Sequence, residues 1–302
     1  MELIKPSTNI DFVGKMKLAF TISLIMIVIS IASVLLHGGL NLGIDFAGGT
    51  LVQIKFQKET TTESVRSALR QIKLENSIIQ QLGSKEVVIR AAESSPDLKG
   101  LSSRIEEALN AVYGKEGFEV RRVEVVGPKV GRDLTNKAIM AIIFSWIGML
   151  VYIAWRFEFR YAVGGIIALI HDVIITVGAL SLLNKEFTLT IIAALLTIVG
   201  YSINDTIVIY DRIRENVRKG TKKDLGEIMN VSINETLGRT ILTSLTVFTV
   251  LAVLFLLGGE GIHDFAFAML VGVISGVYST VYIASPLVLA WEHVRPSRIR
   301  KR

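Results

Sequence analysis

Residues Thr188–Tyr210 read TLTIIAALLTIVGYSINDTIVIY, 23 residues in which Asp205 is the only charge. A helix needs about 20 apolar residues to cross the hydrocarbon of a bilayer. This stretch therefore spans a membrane and carries a carboxylate within it. A carboxylate at the bilayer centre costs about 2.5–3.5 kcal/mol on the translocon-insertion scale. Asp205 lies about two-thirds of the way along, where the cost is lower but not zero. Charges kept inside membranes against such a cost mark ion or proton pathways. The alternative is that Asp205 snorkels to the interface beside Asp211 and Arg212.

The rest of the chain fits a membrane setting. Apolar residues make up 51% of the 302, and the mean hydropathy is +0.51, which indicates an integral membrane protein. Six apolar spans are readable: Leu18–Leu36, Ala138–Trp155, Tyr161–Leu183, Thr188–Tyr210, Thr240–Leu257 and about Phe265–Trp291. The first follows Lys15 and Lys17, as in a signal peptide, but its 19-residue core is long and no convincing cleavage site follows. It reads as a retained anchor. The absence of cysteine excludes disulfides and thiolate metal sites. Four scattered histidines have no metal-ligand spacing.

The net charge of +6 is a topology signal. Lys and Arg number three in the N-terminal tail, two in the Arg156–Arg160 turn, seven in 211–239 and five in the C-terminal tail. The opposite short connections, Asn184–Phe187 and Gly258–Asp264, carry only Lys185. By the positive-inside rule, both termini and 211–239 are expected in the cytoplasm. A nucleic-acid surface would interleave basic and aromatic residues on a folded face, and no such pattern is present.

Residues 37–137 form an expected soluble domain on the outer side, with 15 basic and 13 acidic residues nearly cancelling. TLVQIKF (50–56) alternates as a strand, and TTESVRSALRQI (61–72) has a helical period. SIIQQLG (77–83) and EVVIRAA (86–92) read as strands joined by a tight turn at 83–85. Asp97 is placed to cap LKGLSSRIEEALNAVY, and FEVRRVEVVG (118–127) closes the domain as a strand. The order βαββαβ predicts a ferredoxin-like α+β unit. The expected division is 1–36 (tail and first span), 37–137 (outer domain), 138–291 (spans two to six) and 292–302 (basic tail). In 211–239, Leu225, Ile228, Met229, Val231, Ile233 and Leu237 among charges suggest a short interfacial amphipathic helix.

Asp172, preceded by His171, is the second intramembrane carboxylate and falls at the centre of its span. Chains of Asp and His relay protons in pumps; a permanently protonated acid bonding another helix is the structural alternative. Arg239 opens the fifth span, antiparallel to the fourth, so it is the natural counter-charge for Asp205; snorkelling at a helix end is its other reading. Asn204, Thr206, Ser202 and Tyr201 neighbour Asp205 in sequence and are candidate hydrogen-bond partners. Gly272, Gly276 and Ser279 line one stripe of the last span and imply close helix packing. Asn204-Asp-Thr206 and Asn234-Glu-Thr236 match the glycosylation pattern but lie at the membrane, so they are coincidental. The run Gly43-Ile-Asp45-Phe-Ala-Gly48-Gly49-Thr50 lacks the lysine of a phosphate loop and precedes a strand. No nucleotide site, nucleophile–base pair, metal constellation or cofactor site is readable elsewhere.

Five segments together resemble the SecF branch of the SecD/SecF family, within the resistance-nodulation-division superfamily. They are GIDFAGGT (43–50), GPKVGRDL (127–134), HDV (171–173), VGYSINDTIVIYDRIREN (199–216) and NETLGRT (234–240). The resemblance implies half of a twelve-span transporter, with SecD supplying the other half as a pseudo-two-fold repeat. It implies a non-enzymatic subunit of the bacterial inner membrane that couples proton influx to late preprotein export. The implied partners are SecD, the SecYEG translocon with accessory membrane subunits, and unfolded preprotein. The family's span-four aspartate falls on Asp205 and its span-five arginine on Arg239. Asp172 matches a further motif position, and Gly43, Asp45, Gly48, Gly49 and Thr50 form the family's glycine-rich loop. The rivals are a small-molecule or lipid exporter of the same superfamily, and a non-conducting scaffold of the translocon.

Overall fold

A computed structural model describes residues 9–91, 98–220 and 224–294. The chain divides into two compact units, one of residues 42–140 and one of 1–41 with 141–302.

In the first unit, α2 (Ile44–Ala47) leads into β1 (Gly49–Phe56), followed by α3 (Thr62–Arg70), β2 (Ile78–Gln81), β3 (Glu86–Ala91), α4 (Leu98–Tyr113) and β4 (Phe118–Val126). The sheet order is β2-β3-β1-β4 with every pair antiparallel, the expected split βαβ topology. Alternation in β1 turns Val52, Ile54 and Phe56 to one face, where they meet Val65 and Leu69 of α3 and Leu101, Ile105 and Leu109 of α4. The Thr61 hydroxyl caps α3 by accepting from the Ser64 amide at 3.3 Å. The expected cap Asp97 lies outside the described residues.

The glycine-rich loop has a steric reason. Gly48 and Gly49 sit at φ +74° and +119°, where a side chain is strained. A Cβ on Gly48 would also approach within 3.3 Å of the Val126 carbonyl and the Pro128 Cα. On Gly131 it would come within 2.8 Å of the Phe46 carbonyl. The two segments 43–50 and 127–134, one around α2 and the other opening α5, thus meet at backbone contact, and only glycine fits there.

The second unit is a helix bundle of α1 (Met16–Leu36), α6 (Phe159–Leu182), α7 (Leu189–Arg218), α8 (Leu225–Leu257), α9 (Glu260–Ser279) and α10 (Ser285–Val294), with the end of α5 (Pro128–Arg156). A π-helical turn, Thr280–Ala284, joins α9 to α10 in one continuous span. Among the described residues, six helices are long and apolar enough to cross a membrane. Arg156 meets Asp211, Arg160 meets Glu292, and Asn230 and Asn234 hold the backbone of residues 10–13. Those contacts gather the N-terminal segment, the α5–α6 and α7–α8 turns and the end of α10 at one end. At the other, Asn41 bonds the Asn184 carbonyl and Lys185 pairs with Asp264 at 2.5 Å.

The segment 211–239 departs from its expected form. It is not a loop bearing a helix that lies on the membrane, because α7 runs on to Arg218 and α8 begins at Leu225. Asp224 caps α8, its carboxylate accepting from the Glu227 amide at 2.7 Å. Ile228, Met229 and Ile233 are buried against the bundle, with Met229 and Ile233 in the same core as Phe12 and Tyr210. The apolar face that suggested an interfacial helix is a packing face.

Candidate intramembrane carboxylate sites

Asp172 is fully buried near the middle of α6. Its Oδ2 accepts from Ser202 Oγ of α7 at 2.7 Å and from Ser279 Oγ of α9 at 2.8 Å. Its Oδ1 accepts from Ser275 Oγ of α9 at 2.6 Å and lies 3.2 Å from His171 Nδ1. Ser275 and Ser279 are one turn apart, so α9 presents both hydroxyls on one face. Gly276, between them, lets α7 approach: a Cβ there would lie 3.0 Å from the Ser202 Cβ. Ser279 therefore does more than pack, contrary to the sequence reading, because its hydroxyl belongs to the Asp172 shell. His171 is buried, lies parallel to the Tyr278 ring at 6.1 Å, and keeps Nε2 without a partner.

Asp205 is 4% exposed on α7. Its carboxylate accepts from Ser244 Oγ of α8 at 3.4 Å, and Ser244 in turn accepts from the Tyr201 hydroxyl at 3.0 Å. A short hydroxyl chain, Tyr201–Ser244–Asp205, thus joins α7 and α8. Tyr201 lies one turn before Asp205 on the same face. The other expected neighbours turn elsewhere, since successive residues project about 100° apart around a helix. Ser202 serves Asp172. Thr206 donates to the Ser202 carbonyl at 3.2 Å and meets Thr280 Oγ1 at 2.8 Å. Asn204 is exposed on the outer side of α7.

Arg239 does not form the expected ion pair with Asp205. It is exposed and has no carboxylate within ion-pair distance among the described residues, although it exerts an electrostatic pull on Asp205. Asp205 reaches α8 at Ser244, more than a turn beyond Arg239, and the guanidinium, near the middle of α8, lines a cavity among α7 and α8 side chains.

The π turn was not expected from sequence. It starts directly after Ser279, and side chains add to its backbone bonding: Ser285 Oγ donates at 3.0 Å to the Thr280 carbonyl, which also accepts the Ser285 N–H, and the Tyr210 hydroxyl donates to the Ala284 carbonyl at 3.3 Å. No group of three His, Cys, Asp or Glu residues arranged for a metal is present among the described residues.

Residues 105–294 match the family described as protein export membrane protein SecD/SecF, C-terminal, and residues 33–60 match the SecD/SecF GG motif. The chain is 49% identical to the protein translocase subunit SecF of Calditerrivibrio nitroreducens, covering 98% of each. It is 44% identical to SecF of Vibrio alginolyticus, covering 99% of this chain and 96% of that one. The crystal structure of SecDF, a translocon-associated membrane protein from Thermus thermophilus, superposes with a TM-score of 0.87 at 36% identity. That match covers 96% of this chain and 40% of the SecDF chain. With the family matched over more than half its length, the chain belongs to the SecD/SecF family of protein-export membrane proteins.

Proposed function

We propose that this chain acts as the SecF-type subunit of a protein translocase and that Asp205 is its proton-exchanging group. A SecD-type partner supplies the remaining helices, in keeping with the 40% share of the SecDF chain that this protein matches. The bundle leaves extensive apolar surface on α1, α5 and α8, including Leu24, Phe144, Val151, Val250 and Leu256, for lipid and partner helices. Both termini face the cytoplasm, with residues 42–140 on the opposite side, by the Lys and Arg distribution.

The observation that carries the proposal is the sparse solvation of Asp205. It is buried, yet among the described residues a single long bond from Ser244 reaches it. An ionised carboxylate in that setting is poorly compensated, whereas the protonated acid costs little. Proton uptake and release therefore shift the balance between α7–α8 arrangements, with Ser244 and Tyr201 as exchange partners and Arg239 as a fixed positive charge nearby. Each charge crossing 100 mV supplies about 2.3 kcal/mol, enough to bias a helix rearrangement in a repeated cycle. The work is delivered to translocating polypeptide, with no bond made or broken in it.

Asp205→Asn keeps size and polarity but cannot titrate. In vesicles containing the complete translocase, the variant is expected to lose the part of export that depends on the proton gradient while keeping the gradient-independent part. Wild-type gradient dependence in Asp205→Asn refutes the role. Loss of the assembled complex from detergent extracts of that variant points instead to a scaffold.

A further inference from the structure

A cavity of about 730 Å³ opens between the end of α7 and the start of α8. Its lining includes Asp211, Glu215 and Glu235, and all three acids are already engaged. Asp211 lies 3.5 Å from Arg156; Glu215 pairs with Arg212 at 2.6 Å and Lys219 at 3.0 Å; Glu235 pairs with Arg212 at 2.7 Å. Arg214, Arg218 and Arg239 also line the cavity, and none has a carboxylate within ion-pair distance among the described residues. Arg214 donates to the Arg156 carbonyl at 3.2 Å and lies over the Phe157 ring. Arg218 follows Arg214 by one turn on the same face.

Three arginines directed at one concavity without counter-charges repel one another unless an anion enters. Guanidinium forks match phosphate oxygens in geometry as well as charge. The location narrows the choice of anion. Arg239 stands where the apolar part of α8 begins, and Leu242 and Leu245 beyond it are exposed. A ligand whose phosphate sits among the arginines thus has an apolar surface beside it for acyl chains. Basic pockets between membrane helices on the cytoplasmic side suit acidic headgroups.

We propose that this cavity binds the phosphate headgroup of an anionic phospholipid. Bound there, the lipid bridges α7 and α8 next to Arg239, and its phosphate competes with Asp205 for that guanidinium. The site is independent of whether Asp205 exchanges protons.

The test is lipid retention by the purified full-length chain in detergent, read by native mass spectrometry after incubation with phosphatidylglycerol or phosphatidylcholine. Phosphatidylglycerol is expected to stay bound preferentially and to be released as salt rises. Arg214→Gln with Arg218→Gln is expected to weaken retention on the order of thirtyfold. Arg214→Lys with Arg218→Lys should keep most of it, which separates loss of charge from loss of fold. Lys55→Gln with Lys58→Gln, exposed positions in the other unit, removes the same charge and should change nothing. Equal retention of both lipids, or unchanged phosphatidylglycerol binding by the glutamine variant, overturns the assignment. Tight binding of inorganic phosphate without a preference for phosphatidylglycerol overturns it too, as a site for a soluble anion.

Discussion

Asp172 and Asp205 are the same chemical group on neighbouring helices, and the bundle treats them in opposite ways. Three serine hydroxyls and a histidine nitrogen converge on Asp172 from its own helix, α7 and α9. Each of these bonds ties a neighbouring residue to Asp172, and together they fasten α7 and α9 to α6. Asp205 is nearly as buried but accepts one bond among the described residues, at 3.4 Å. Depth in the membrane therefore does not identify the working acid. The number of donors aimed at each acid separates them, and on the function proposed above the saturated acid is a fastening and the undersaturated one the exchanging group.

The largest effect expected is that of Asp172→Ala. It leaves three hydroxyls and His171 without their acceptor, and removing one partner from a buried charged network costs about 3–5 kcal/mol. Thermal unfolding of the detergent-solubilised chain should show a drop large enough to reduce folded yield. Asp205→Asn, measured the same way, should cost less than about 1 kcal/mol, since one long bond is at stake. If the two variants destabilise equally, the distinction between fastening and switch fails. Ser279→Ala tests it on a finer scale, with an expected loss of about 1–3 kcal/mol, whereas Ser244→Ala should alter gradient-dependent export more than stability.

Helix proximity makes a related prediction of intermediate size. On Gly178 of α6, a Cβ would fall 2.0 Å from Ser30 Oγ and 2.7 Å from the Ser30 Cα of α1. Because a backbone atom is involved, rotating one side chain does not relieve the clash, and Gly178→Ala should cost about 1–3 kcal/mol. The same unfolding assay reads it. Gly200→Ala, where a Cβ meets nothing within 4 Å, is the control and should be neutral or slightly stabilising.

Much of this was legible in the residues. Apolar run length located the six spans; alternation in 50–56, and short apolar runs bounded by turn residues elsewhere, located the four strands of the described residues in 42–140, because such patterns are local. The α7–α8 connection was misread because its apolar residues fit a membrane surface and a bundle core equally well; Phe12 and the N-terminal segment, more than 200 residues away, decide between them. The Asp205–Arg239 pairing failed for a similar reason. Antiparallel neighbours fix which helix ends meet, but rotation about each axis decides which side chains meet. Ser275 was the functional-shell residue left unread, although its spacing from Ser279 and the small Gly276 were a detectable signal. The π turn did carry a signal that went unread: Pro286 stands two residues after it and has no N–H to give the Tyr282 carbonyl four residues back, which interrupts the helical ladder there.

The smallest effects test helix rotation itself. Asn204 and Thr206 flank Asp205 in sequence, and both match the motif equally. Thr206 is buried, bonded to the Ser202 carbonyl and to Thr280 at the π turn, so Thr206→Val should cost about 1 kcal/mol by stranding the Thr280 hydroxyl. Asn204 is exposed, and Asn204→Ala should leave unfolding of the isolated chain within about 0.5 kcal/mol of wild type. A reversed order would mean that α7 is turned about its axis relative to α6 and α9. Ser202 would then no longer face Asp172, and the contrast between the saturated and the undersaturated acid would lose its structural basis.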